Sequence, residues 1–259
     1  MNILDTIVAR KKIEIAQAKE NISIQQLEQC NFFICSTVSL SQNILKENST
    51  GIIAEFKRKS PSKGIINDKA YAVEVVKDYE QAGVSGSSVL TDTDFFGGSK
   101  EDLQNVRKEV SLPLLRKDFM IDEYQFIEAK NWGADVILLI ASILTPQQVK
   151  SFTDLAKSLH LEVLLELHGE NELNHVYHKV DMVGVNNRNL KTFEVDIEQS
   201  IRMANKLGND FVKIAESGIS NISTLKHFKQ NGFQGFLIGE NFMKTDHPGK
   251  ACKDFIAQL

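Results

Sequence analysis

The chain has 259 residues, 42% hydrophobic and 25% charged, with a formal net charge of −4. That composition excludes a disordered chain, and four prolines without a low-complexity tract exclude a fibrous one. The mildly acidic balance argues against a dedicated nucleic-acid binder but leaves an anionic small molecule open, and a chain this long buries enough surface to fold without a disulfide or metal staple.

The N-terminal stretch carries Asp5 and no unbroken apolar segment, so no secretory signal is expected. The longest apolar run, 136–141, is far short of the roughly 20 residues of a membrane span. Ile3, Leu4, Ile7 and Val8 recur at helical spacing, and Leu40, Ile44 and Leu45 do so again. Residues 1–48 therefore read as a helical extension and 49–259 as the body of a single domain. Cys30, Cys35 and Cys252 are an odd count without CxxC, which reads as three reduced thiols in a cytoplasmic protein.

From residue 51 a short run rich in Val, Ile and Leu alternates with a segment of helical length. Strands are predicted at 51–57, 87–91, 112–117, 135–140, 162–166, 182–186, 211–215 and 235–239. Helices are predicted at 71–81, 121–131, 146–159, 197–206 and 223–230. Thr145-Pro146 marks one helix start, and Asp122 and Ser220 occupy cap positions of two others. Gly83, Gly133, Gly208 and Gly232 fall where left-handed C-caps belong. Near-continuously apolar strands separated by helices predict a parallel sheet. Eight strand–helix units fit a (β/α)8 TIM barrel, with the extension capping its C-terminal face. The competing doubly wound sheet would carry GxGxxG after its first strand, and here that strand runs into Lys57-Arg58-Lys59-Ser60-Pro61-Ser62.

The strands end on charge. Alternation puts Ile53, Glu55 and Lys57 on one face of the first strand and apolar Ile52, Ala54 and Phe56 on the other. Lys117, Glu166, Asn186 and Glu216 close the third, fifth, sixth and seventh strands, with Arg188 just beyond Asn186. In a barrel these groups converge on the funnel at the carboxyl ends of the strands. Two ammoniums and three carboxylates can share such a place only if they pair and shift one another's pKa, and such clusters hold general acids and bases. Ser217-Gly218 and Gly239-Glu240 follow strands seven and eight, where backbone amides of this fold cradle phosphate. Lys59 and Ser60 can add a cation and a hydroxyl. Phe95 and Phe96, in the loop after strand two, can hold an aromatic ring. His175 and His178 are spaced i, i+3 on a predicted helix, but no third ligand joins them and no metal site is expected. The other histidines, His168 among them, are scattered over helices and loops.

The chain resembles the indole-3-glycerol phosphate synthase family in IAEFKRKSPS (53–62), LTDTDFFGGS (90–99), LLRKDFM (114–120), GADVILLI (133–140), GVNNRNL (184–190), AESGIS (215–220) and FLIGENFM (236–243), in that order. ILDTIVARK near the N-terminus is similar to that family's opening helix. The resemblance implies a carbon–carbon lyase of tryptophan biosynthesis. Its reaction closes the ring of 1-(2-carboxyphenylamino)-1-deoxyribulose 5-phosphate, with loss of CO2 and water. By matching motif, Lys117 would be the general acid on the ketone. Lys57 would bind the substrate carboxylate and serve as an acid in dehydration, Glu166 would transfer protons, and Glu55 with Asn186 would hold sugar hydroxyls. Arg188 and Glu216 would complete the charge network. Lys59, Ser60, Ser217, Gly218, Gly239 and Glu240 would hold phosphate, and Phe96 would pack on the ring. Neighbouring ammoniums and burial would lower the Lys117 pKa, or Glu55 would keep it up; a link to at least one carboxylate is expected. The first loop, 58–67, is expected to close over the substrate. No cofactor is implied. The expected partner is a small phosphorylated molecule, with no nucleic acid or membrane, and the expected state is a monomer. Two alternatives remain: a silent barrel that binds a sugar phosphate, and an isomerase like phosphoribosyl anthranilate isomerase, which needs a strand-end cysteine not found here.

Overall fold

Leucine, isoleucine and valine at alternating positions give each predicted strand two apolar faces, and a strand buried on both sides must pack inward and outward at once. In the computed structural model, which describes residues 3–29, 32–188 and 194–259, eight parallel strands among these residues close into a barrel in chain order. They are β1 (Ile52–Phe56), β2 (Gly86–Leu90), β3 (Leu114–Lys117), β4 (Val136–Ile140), β5 (Glu162–Leu167), β6 (Met182–Asn186), β7 (Val212–Glu216) and β8 (Gly235–Ile238). The TIM barrel expected from the pattern is the observed fold.

Before β1 lie α1 (Ile3–Asn21), α2 (Ile24–Glu28) and α3 (Leu40–Leu45). The outer helices are α4 (Ala72–Ala82), α5 (Lys100–Glu109), α6 (Tyr124–Asn131), α7 (Pro146–Ser158), α8 (Ile197–Lys206), α9 (Ile222–Gln230), α10 (Glu240–Met243) and α11 (Pro248–Ile256). The β5–β6 crossover holds a 3-10 helix, Glu170–His175, rather than an α-helix. The His175 ring nitrogens face the carbonyl oxygens of Glu172 and Leu144 and His178 meets Tyr177 edge-on, so the two histidines do not share a helix face. Among the described residues no group of three His, Cys, Asp or Glu side chains could hold a metal, and no helix is long and apolar enough to cross a membrane.

The alternation on β1 is realised. Ile53 belongs to the cluster inside the barrel, with Leu115, Leu138, Leu164 and Leu237, while Ile52, Ala54 and Phe56 join the shell between strands and helices. The extension serves both ends of that inner core. α1 lies over the carboxyl ends of the strands, where Ile3, Leu4 and Ile7 line a cavity. α3 plugs the opposite end, with Leu40 and Ile44 buried in the inner cluster. Its N-terminus is held by Glu162, the first residue of β5, which accepts from the backbone N–H of Leu40 (2.8 Å) and Ser41 (3.0 Å). A carboxylate at a helix N-terminus satisfies orphan donors and suits the helix dipole. The sequence pattern gave both helices the same end of the barrel; which end each one faces depends on distant partners such as Glu162.

Thr145 caps α7 with Gln148 in a capping box, and Gly83, Gly133, Gly208 and Gly232 all take positive φ. Two caps move by one residue. Asn221 rather than Ser220 caps α9, because its carboxamide oxygen accepts from Thr224 N–H. Asp122 precedes the N-cap Glu123 and accepts from Tyr124 N–H instead. Cys30, Asn189 and Leu190 lie outside the described residues.

Candidate active site

At the carboxyl ends of the strands a cavity of about 340 Å³ opens under α1, within the range of small-molecule sites. Glu55, Lys57, Lys117, Glu166, Asn186 and Glu216 all line it. Register accounts for part of the convergence: Asn186 on β6 pairs with Glu216 on β7, which sets these two strand ends side by side.

Lys117 Nζ donates to Glu216 Oε2 at 2.7 Å and to Glu166 Oε2 at 3.1 Å. Glu166 Oε1 accepts from Asn186 Nδ2 at 3.0 Å. Asn186 Oδ1 in turn accepts from Arg188 N–H, which fixes its amide. Lys57 Nζ pairs with Glu55 Oε1 at 2.5 Å. Glu216 needs an unusual neighbour. A Cβ on Gly184, in the adjacent strand, would sit 2.1 Å from Glu216 Oε1, so glycine there makes room for the carboxyl.

These contacts set the protonation states. Burial acts to lower the Lys117 pKa, but Glu166, Glu216 and Glu55 outweigh it and hold the ammonium above the ordinary lysine value. The pKa is kept up, as one of the two expectations had it, but Glu166 and Glu216 do more of this than Glu55, the carboxylate named from the sequence. Burial and the nearby Glu166 push Glu216 up to about 8, against the pull of Lys117. Burial alone would raise Glu166 too, yet Lys117, His168 and Asn186 more than reverse it and hold it low. Geometry agrees with that division. Glu166 has polar partners at both oxygens, whereas buried Glu216 Oε1 has no hydrogen-bond partner among the described residues. One carboxyl keeps its proton and the other is ionised, the pattern of an acid–base pair.

The residues expected to meet phosphate come together in the same cavity. Ser217 and Gly218 line it with left-handed φ of +69° and +75°. Ser60, Gly239 and Glu240 also line it. Glu240 faces Arg188 and Lys63, each at 3.5 Å. Lys59 is brought elsewhere: its Nζ donates to the Asp94 carbonyl at 2.6 Å, and it does not line the cavity. Phe96 lines the cavity with apolar Ile3, Leu4 and Ile7, its ring tilted against Phe119 at 5.9 Å.

Two groups escaped the sequence reading. His168 Nε2 stands 3.0 Å from Glu166 Oε1. The spacing that selected Lys57, two residues beyond a strand-end glutamate, selects His168 as well. Lys11 of α1 is buried between Asp92 and Asp118, 3.0 Å from each. No local signal marks this lysine of a charge-rich helix as buried.

Residues 4–255 match the family model described as indole-3-glycerol phosphate synthase. The chain is 46% identical over 258 residues to the indole-3-glycerol phosphate synthase of Bacteroides thetaiotaomicron, covering 100% of this chain and 99% of that one. It is 42% identical to the protein of that name from Campylobacter fetus, covering 97% and 98%. Its fold is similar to a chain of the tryptophan synthase α2β2 complex of Pyrococcus furiosus, with a TM-score of 0.61 at 14% identity, over 80% of this chain and 96% of that one.

Proposed function

The chain belongs to the indole-3-glycerol phosphate synthase family, and from that premise we propose how its cavity divides the work of the family's reaction. The activity is ring closure of 1-(2-carboxyphenylamino)-1-deoxyribulose 5-phosphate to indole-3-glycerol phosphate, with release of CO2 and water, a step of tryptophan biosynthesis. The observation that carries the assignment is Lys117 Nζ held in the cavity 3.1 Å from Glu166 and 2.7 Å from Glu216.

The phosphate is assigned to Ser60, the Ser217-Gly218 and Gly239-Glu240 amides and Arg188, and the aromatic ring to the wall at Phe96. Lys57 takes the ring carboxylate. In this pose the carboxyl-bearing ring carbon attacks the ketone carbon. Lys117 Nζ delivers a proton to the ketone oxygen as negative charge builds there, leaving a hydroxyl. The C–CO2 bond then breaks, and its electron pair restores the aromatic ring. Dehydration follows. Lys57, freed of the carboxylate, protonates the departing hydroxyl, which leaves as water. Glu166, ionised and aligned by Asn186, takes the proton released as the new ring double bond forms. Glu55 and Asn186 hold sugar hydroxyls. Exclusion of water strengthens each of these charge interactions. One chain supplies every group named, which supports a monomer as the working unit.

The test is indole fluorescence on the carboxyphenylamino substrate with wild type and Lys117→Ala in parallel. Wild type should turn over, and the variant should lose about two to four orders of magnitude of turnover, the range of general acid catalysis, with circular dichroism unchanged. A variant of near-wild-type turnover would remove Lys117 from the role of acid.

A further inference from the structure

His168 follows β5 and is buried beside the ionised carboxylate, yet no step above uses it. Its surroundings determine where its protons are. Ser142, in the turn after β4, donates its single hydroxyl proton to Glu172 Oε1 at 2.6 Å. Glu172, on the 3-10 helix of the β5–β6 crossover, also accepts from the His168 backbone N–H through Oε2 at 2.6 Å. Ser142 Oγ lies 3.2 Å from His168 Nδ1. With its proton committed to Glu172, Ser142 can only accept there, so Nδ1 carries the N–H. Nε2 is buried 3.0 Å from Glu166 Oε1, at ion-pair distance but without hydrogen-bond alignment, and among the described residues it has no hydrogen-bond partner. A neutral ring in that tautomer would set its lone pair beside the carboxylate. Lone pair and carboxylate repel unless the ring is protonated.

We propose that His168 is a positioning residue for Glu166: the Ser142–Glu172 chain holds Nδ1 as a donor so that the ring stands protonated beside Glu166 as its ion-pair partner, keeping Glu166 in place and ionised to accept the substrate's proton. The proposal rests on Glu166 being the proton acceptor. The charged groups facing the imidazole are Glu166 on β5, Glu172 on the crossover and Glu216 on β7, with Lys117 on β3 beyond Glu166. Burial works to lower the His168 pKa and these carboxylates reverse it, so the net direction is upward, toward the imidazolium that the ion pair needs. Arrangements of this kind orient catalytic groups by hydrogen bonds at one remove.

The test is the pH dependence of kcat and KM for His168→Ala, His168→Gln, Ser142→Ala and Glu166→Gln. Loss of the imidazolium should raise the Glu166 pKa and move the acid limb of kcat to higher pH. His168→Ala is expected to lower kcat by about tenfold or more while KM stays within about twofold. Glutamine keeps a neutral donor near the Nε2 position. It should recover part of kcat and leave the limb displaced. Ser142→Ala should shift the limb the same way by less, which keeps the proposal testable if His168→Ala does not fold. An unmoved acid limb in both His168→Gln and Ser142→Ala would overturn it, as would a fall in His168→Ala that glutamine does not relieve. Glu166→Gln separates the two readings. If it keeps full turnover, the assignment of Glu166 itself fails; if it is inactive while the His168 variants match wild type, only the role of His168 fails.

Discussion

Glu216 shows how one residue can serve the site and weaken the fold. Its carboxyl is buried on β7, where burial and Glu166 push its pKa up to about 8, against about 4.3 for an exposed glutamate. While protonated it counts as one anion fewer beside Lys117, which leaves that ammonium a stronger acid. As pH rises through about 8, Glu216 ionises, Lys117 is held harder, and turnover should fall along an alkaline limb. Glu216→Gln should displace that limb upward. The same shift has a stability sign. The folded state keeps a proton that the unfolded chain gives up above its lower pKa, so stability falls as pH rises between the two values and levels off beyond them. Thermal unfolding of Glu216→Gln should therefore match wild type near pH 4 and exceed it at pH 9. An alkaline limb unchanged by the substitution would remove Glu216 from control of the acid.

At the scale of elements, the first loop is a small ribbon in which Lys59–Ser60 pairs with Gly64–Ile65, and Lys63 reaches Glu240 at the start of α10. This is the segment expected to close over substrate. Gly64 has φ of +67°, and an added Cβ would meet nothing within 4 Å. A side chain there strains only the backbone, by about 1–2 kcal/mol for a branched residue. Gly64→Val should lower kcat by disturbing the ribbon, with the shape of the pH profile retained because no titrating group moves. Equal kcat in both proteins would show that the ribbon does not limit turnover. Strand-end chemistry was legible here because a period of two and a barrel together say where a side chain points: Glu55 with Lys57, and Asn186 with Arg188, follow from spacing alone. His168 obeys the same spacing after Glu166. It was passed over because a histidine beyond a strand end reads as loop until its neighbours from β4 and the crossover are known.

At the scale of the whole molecule, the barrel, its order of strands and its loaded end follow from the apolar pattern, whereas the closure of its two ends does not. The plug by α3 depends on Glu162, more than a hundred residues away in sequence, and the lid by α1 depends on Lys11. That ammonium is buried against Asp92 and Asp118, which follow β2 and β3. Asp118 also meets Arg116, whose guanidinium lies 4.0 Å from the Trp132 ring and contacts Glu128 on α6. The network thus ties the N-terminal helix to the strand bearing Lys117. Burial opposes the Asp118 charge, but Lys11 and Arg116 hold its pKa far below the ordinary value. A depressed carboxyl pKa stabilises the fold above the unfolded pKa, near 3.9, and that contribution is lost as pH falls toward the folded value. Lys11→Met would leave two buried carboxylates short of a partner, a loss of about 3–5 kcal/mol for a broken buried pair. The variant should unfold several degrees below wild type at pH 7. The gap should narrow below about pH 4, where wild type loses the stability carried by the Asp118 charge. Because α1 carries Ile3, Leu4 and Ile7 over the cavity, KM should also rise at pH 7. Equal unfolding temperatures at pH 7 would mean that apolar contacts alone dock α1; a deficit with unchanged KM would mean that the lid holds its place over the substrate without Lys11.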